Sequence, residues 1–96
     1  MATAPAQPVP LPWPAETAAQ AASLQTAVDG GAQPWLLDPT QVALAYAAAQ
    51  GWRDAAAVDA TAAGVTIRSS AGIHVLTLAQ PGKTGTAGIW VVTADR

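Results

Sequence analysis

Apolar positions recur with two different periods along this chain of 96 residues, helical in the first half and strand-like in the second. Ala21, Leu24 and Val28 fall on one face at helical spacing, with Gln20, Gln25 and Asp29 elsewhere, which predicts a first helix over 15–28. Pro14 suits its first turn, Glu16 complements the positive end, and Gly30-Gly31 offer a left-handed stop. The stripe is narrow, so this helix has to dock on something broader. The second helix has clearer signals. Asp38 is placed to accept an amide hydrogen bond as its cap, Pro39 fits the first helical position, and Gln41 completes a capping box. Val42, Ala45, Tyr46 and Ala49 then repeat at i, i+3, i+4 and i+7, predicting one buried stripe as far as Gln50. Gly51 ends that helix, and Trp52 stands where an apolar side chain packs back on the last turn.

Beyond Trp52 the period changes to two. Ala56 to Asp59 reads as a short, weakly specified strand, and Val65-Thr66-Ile67-Arg68-Ser69 as a strand with Val65 and Ile67 on one face. Ser70-Ala71-Gly72 turns the chain into its organising segment, a hairpin from Ile73 to Ala94. The arms Ile73–Leu78 and Ile89–Thr93 are rich in β-branched and aromatic residues, which suit a pleated surface. Between them, Pro81, Gly82, Gly85 and Gly88 mark 80–88 as a loop, read as a flexible hairpin tip. Alternation along the first arm puts His74 on the solvent face, opposite Ile73 and Val75. The order of elements predicts an α+β domain, with two N-terminal helices packed on one face of a three- to four-stranded antiparallel sheet. Residues 1–14, with five prolines, read as a Pro/Ala-rich arm or linker ahead of a single domain over 15–96. Trp13 is the exception, an indole expected to fold back on the domain.

Composition adds to this picture mainly by exclusion. Four basic and six acidic side chains leave no basic face to track a phosphate backbone, which argues against nucleic-acid binding. Cysteine is absent, so disulfides and thiolate metal sites are ruled out. No run approaches the length of apolar residues that spans a bilayer, and no basic segment followed by an apolar one marks a signal peptide. An exported protein would therefore carry its leader upstream of this sequence. Alanine makes up about a quarter of the chain and Phe is missing, so Trp13, Trp35, Trp52 and Trp90 are the expected anchors of the interior. Trp35 and Trp90 are expected to meet where the start of the second helix crosses the hairpin. On that placement Trp90→Ala costs about 3–5 kcal/mol.

Few residues suggest chemistry. Gly82-Lys83-Thr84 invites comparison with the phosphate-binding loop G-x-x-x-x-G-K-[ST], but Thr77 stands where the first glycine belongs and the loop leads into a strand, not a helix. His74 is the only histidine. With no second histidine and no cysteine, a metal site would need scattered carboxylates, and a general base would need a nucleophile that the spacing does not supply. Glu16, Asp29, Asp38, Asp54, Asp59 and Asp95 show no paired spacing of the kind used in acid–base catalysis. The expectation is a domain without catalytic, metal or cofactor residues, and not an enzyme.

Two segments together carry a resemblance: Gln33-Pro34-Trp35-Leu36-Leu37-Asp38-Pro39, running into Val42-Ala43, and Gln80-Pro81 followed by Gly85 and Gly88-Ile89-Trp90-Val91-Val92. Over about residues 24 to 94 the chain resembles small extracytoplasmic, lipoprotein-type domains of Gram-positive bacteria, which pair a Q-P-W-x-x-D-P helix start with a closing Q-P-x-x-x-G-x-x-G-I-W-x-V hairpin. The resemblance implies a fold and an extracytoplasmic or cell-envelope location, with cytoplasm as the alternative, and it implies no reaction. It also implies that Trp35, Asp38, Pro39 and Trp90 are structural anchors. The functional expectation is a non-enzymatic accessory or interaction domain at the bacterial cell surface, contacting another protein through Lys83, Thr84, Gly85 and Thr86. The alternative is a small inhibitor or immunity-type protein acting through the same 80–88 loop.

Overall fold

The computed structural model describes residues 11–61 and 64–95; residues 1–10 of the expected arm, 62–63 and 96 lie outside the described residues. Four strands, β1 (Ala56–Ala60), β2 (Gly64–Ser69), β3 (Gly72–Ala79) and β4 (Val91–Asp95), form an antiparallel sheet in chain order. Two helices, α1 (Ala18–Asp29) and α2 (Pro39–Ala49), are joined through a 3-10 turn at Pro34–Leu37 and share one core with the inner face of the sheet. The class is α+β, as the two periods predicted.

Register in the sheet is set at the β2–β3 turn. Ser69 pairs with Gly72 across Ser70-Ala71, so Ile67 falls opposite His74 and Val65 opposite Leu76. Val65 and Ile67 are fully buried, and directly paired residues share a face, so His74 and Leu76 point inward as well. This corrects the expected orientation of β3. Ile73 and Val75 stand on the outer face, 65% and 45% exposed, while His74 is half-buried on the inner one. A slip of one residue would bring those two inside only by driving Leu76 and Leu78 into water. Across β3–β4, Thr77 pairs with Ala94 and Leu78 with Val92, which leaves Thr93 as an extra residue whose hydroxyl donates to the Thr77 carbonyl at 3.2 Å. Trp13 covers part of the far edge of β4: its N–H donates to the Val92 carbonyl at 3.0 Å and its carbonyl accepts from the Val92 N–H at 2.8 Å.

Both helices end in the same way, α1 starts later than expected, and α2 starts as expected but without the full capping box. α1 begins at Ala18 rather than Ala15, because Trp13 is held extended against Val92 and the residue before a proline resists helical geometry. Thr17 is the cap; its hydroxyl accepts from the Gln20 N–H at 3.1 Å. α2 starts at Pro39, with Asp38 Oδ1 accepting from the amides of Thr40 at 2.9 Å and Gln41 at 3.4 Å. The expected return bond from the Gln41 side chain is not formed, because the Asp38 N–H already donates to the Trp35 carbonyl at 3.1 Å. At the C-termini, Gly31 (φ 94°) and Gly51 (φ 80°) take the left-handed position. The amides of Ala32 and Trp52 bond back to Ala27 and Ala47, the paired-bond stop that satisfies the last carbonyls. The buried stripe of α2 is Val42, Ala43, Tyr46 and Ala47; Ala49 is exposed and Ala45 only half-buried, contrary to the predicted stripe.

The centre of the core is aliphatic apart from Tyr46, with Leu36, Val42, Ile67, Leu76, Ile89 and Val92 among the largest fully buried side chains. All four tryptophans are half-buried and pack around its rim, which corrects their expected role as interior anchors. An indole is large and carries an N–H that needs a partner, so the edge of a thin helix-on-sheet layer accommodates it better than the middle. Trp35 and Trp90 are brought near each other through the backbone: the Trp90 N–H donates to the Leu36 carbonyl at 2.9 Å, while the Trp35 ring lies 6.3 Å from Trp13. Leu36, fully enclosed at that junction, is therefore the stronger anchor. Leu36→Ala is predicted to lower stability by about 2–5 kcal/mol in denaturant titration and to cost more than Trp90→Ala. The reverse order would contradict this placement of the core.

Candidate functional site

Two residues suffice to join antiparallel strands, yet β3 and β4 are connected by the longer loop 80–88, and side-chain amides hold that loop in shape. From within, Gln80 Nε2 donates to the carbonyls of Gly85 at 2.6 Å and Gly88 at 3.1 Å, and Gln80 Oε1 accepts from the Gly85 N–H at 2.9 Å. Gly85 sits at φ 87°, and a Cβ on Gly88 would collide with the Lys83 carbonyl, so both positions require glycine. From outside, Gln25 of α1 donates to the Ala87 carbonyl at 2.8 Å and accepts from the Ile89 N–H at 3.0 Å. Lys83 Nζ lies 2.9 Å from Asp29 Oδ1, and its hydrogen bond, with that of Gln25, holds the Asp29 carboxyl below the usual carboxylate range. The expected flexible tip is thus a pinned loop. Lys83, Thr84, Gly85 and Thr86 are all exposed on it, although the Lys83 charge is already engaged.

The base of this loop forms one wall of a groove. A space of about 440 Å³ lies between Pro81-Gly82 and α1, floored by Ala18, Ala21, Ala22, Ile89 and Val91. A second groove, of about 510 Å³, runs along the other side of α1 past Trp13, Ala19, Ser23 and Leu24. Glu16 borders both. Sequence reading missed these features because they depend on where α1 sits relative to a loop more than fifty residues away.

No protein-family model, curated protein or solved structure matches this chain.

The titratable cluster lies apart from both grooves. His74 Nδ1 is 2.7 Å from Asp95 Oδ1, and the Tyr46 hydroxyl donates to Asp95 Oδ2 at 2.9 Å. Gln50 Nε2 in turn donates to the Tyr46 oxygen at 2.6 Å. The His74 ring stacks on Trp52 with centroids 4.2 Å apart, and Tyr46 is flanked edge-on by Trp52 at 5.7 Å and Trp13 at 5.8 Å. Burial, and then the hydrogen bond to Asp95, push the Tyr46 phenol up to about 12, so it is a proton donor to the carboxylate throughout the physiological range. This arrangement fastens α2 to the closing strands. The sequence contained one cue to it: counting back from buried Ile67 across the Ser70-Ala71 turn places His74 inward, and Asp95, opposite Leu76, is then its diagonal neighbour. The remaining residues singled out earlier, Trp35, Asp38, Pro39 and Trp90, lie at the junction of the 3-10 turn, α2 and the approach to β4.

Tyr46 is the only tyrosine, so its titration can be followed alone by absorbance at 295 nm. Because the folded value lies above that of an unfolded tyrosine, near 10, the stabilisation is complete below about pH 10 and is lost as pH rises through about 12. A native-state midpoint close to 10 would contradict the partly buried bond to Asp95.

Proposed function

We propose that this is a non-enzymatic accessory or interaction domain of the bacterial cell envelope that offers the 80–88 loop to a partner protein. The observation that carries the reading is an exposed loop fixed in advance by Gln80, Gln25 and the Lys83–Asp29 pair. A loop already ordered in the free protein loses less conformational freedom on association, so more of its contact energy appears as affinity. Lys83, Thr84, Gly85 and Thr86 are the proposed contacts. The cell-envelope location rests on the resemblance of the Gln33–Pro39 and Gln80–Val92 segments to extracytoplasmic domains. No helix among the described residues is long and apolar enough to cross a membrane.

The same rigidity favours a second reading, a small inhibitor or immunity-type protein that blocks an enzyme or toxin with this loop. A catalytic reading has less support, because the His74–Asp95 pair adjoins neither groove and its other neighbours, Tyr46 and Trp52, pack it into the fold.

Site-specific photo-crosslinking in the producing cell tests the proposal. A photoreactive residue at Thr84 or Thr86 is expected to give one discrete adduct that excess purified domain competes away. Position Val75, on the outer face of the sheet, serves as the comparison. Adducts at Val75 with none at Thr84 or Thr86 would contradict the assignment to the loop.

A further inference from the structure

Building on the reading of the chain as an interaction domain, we propose that the two grooves along α1 receive an extended peptide segment of the partner, in which one Lys or Arg is flanked by aliphatic residues and pairs with Glu16. The grooves, of about 440 and 510 Å³, fall in the range of ligand-binding clefts. Their walls are built largely from small and apolar side chains, including Ala18 and Ala22 on one side of α1 and Ala19 and Leu24 on the other. Short side chains let a peptide main chain lie close to the helix.

Among the described residues Glu16 is the only charged side chain bordering either groove, and its carboxylate accepts no hydrogen bond from any of them. Three other carboxylates are already engaged. Asp29 is held by Lys83, Asp38 by the first amides of α2, and Asp95 by His74 and Tyr46. Covering the grooves with a purely apolar occupant would strip water from an unpaired carboxylate, which is costly. An occupant carrying a cation at that point converts the cost into a charge-assisted bond.

The shape selects an elongated occupant. A compact ligand fills one groove only, whereas a chain crossing the N-terminal end of α1 enters both and passes over Glu16 on the way. The resulting order is apolar, basic, apolar. The first ten residues of this chain, MATAPAQPVP, supply apolar groups but no Lys or Arg side chain to pair with Glu16.

The test is a titration of the full ¹⁵N-labelled chain with the acetylated and amidated peptide Leu-Val-Lys-Val-Leu and with its counterpart in which Gln replaces Lys. Expected are amide shifts at Ala18, Ala22 and Val91 in one groove and at Ala19 and Ser23 in the other, with the Gln peptide binding about tenfold more weakly. Glu16→Gln, a substitution at an exposed position, is expected to abolish the difference between the peptides while leaving the spectrum folded. Equal binding of both peptides to the native chain, shifts confined to one groove, or no shifts at millimolar peptide would overturn the proposal. So would NOE contacts from residues 1–10 to Ala18 or Ala22 in the free protein, which make the chain's own arm the occupant. Concentration-dependent shifts without peptide would place a second copy there and overturn it equally. Crosslinking at Thr84 reads the loop and not the grooves, so failure of either assignment is seen separately.

Discussion

The carboxamide of Gln25 is the contact on which the functional half of this molecule depends. Its nitrogen donates to Ala87 and to Asp29, and its oxygen accepts from the Ile89 N–H. One side chain thereby joins α1, the end of the loop and the approach to β4. The alanine-rich surface of α1 offers little apolar area with which to grip its surroundings, so a directional bond does what a broad hydrophobic stripe would do in another helix. The groove between α1 and Pro81-Gly82 is a by-product of that attachment. Short side chains on α1, Ala18, Ala21 and Ala22, leave space there beside the clasp.

Away from this clasp, the fold relies on Tyr46. Its ring fills the centre of an otherwise aliphatic core, between Trp13 and Trp52, and its hydroxyl reaches Asp95 on the last strand. Asp95 also accepts from, or pairs with, His74 on β3. Helix and closing strands are thus joined by hydrogen bonds as well as by burial. The groups that sequence reading scans for catalysis are here consumed in holding the layers together. A half-buried carboxylate is tolerated because both of its oxygens have partners.

What the sequence disclosed follows the range over which each signal acts. Strictly local chemistry was legible: the Asp38 cap, the Gly51 stop, the alternation of Val65 and Ile67, and the loop composition of 80–88 all act within a few residues. The orientation of β3 was legible in principle, since the two-residue turn at Ser70-Ala71 ties His74 to Ile67, but the β-branched Ile73 and Val75 suggested the opposite face. The start of α1 was hidden because a strand pairing between Trp13 and Val92 overrides helix propensity. The tryptophans pack against the rim and not the centre of the core, because an indole is large and carries an N–H that needs a partner. Least legible of all was the order in the loop. Gln25 acts on Ala87 and Ile89 across more than sixty residues of chain, and a glycine-rich segment carries no mark of such support.

The role given to the 80–88 loop requires that it keep one fixed shape in the free protein. Backbone ¹⁵N relaxation of the unbound chain measures this most directly. Order parameters over residues 82–88 are predicted to match those of β3 and β4, at about 0.8 or above. Values below about 0.6 across that segment would describe a tip that samples many conformations, and the claim that this domain offers a preformed loop would fail.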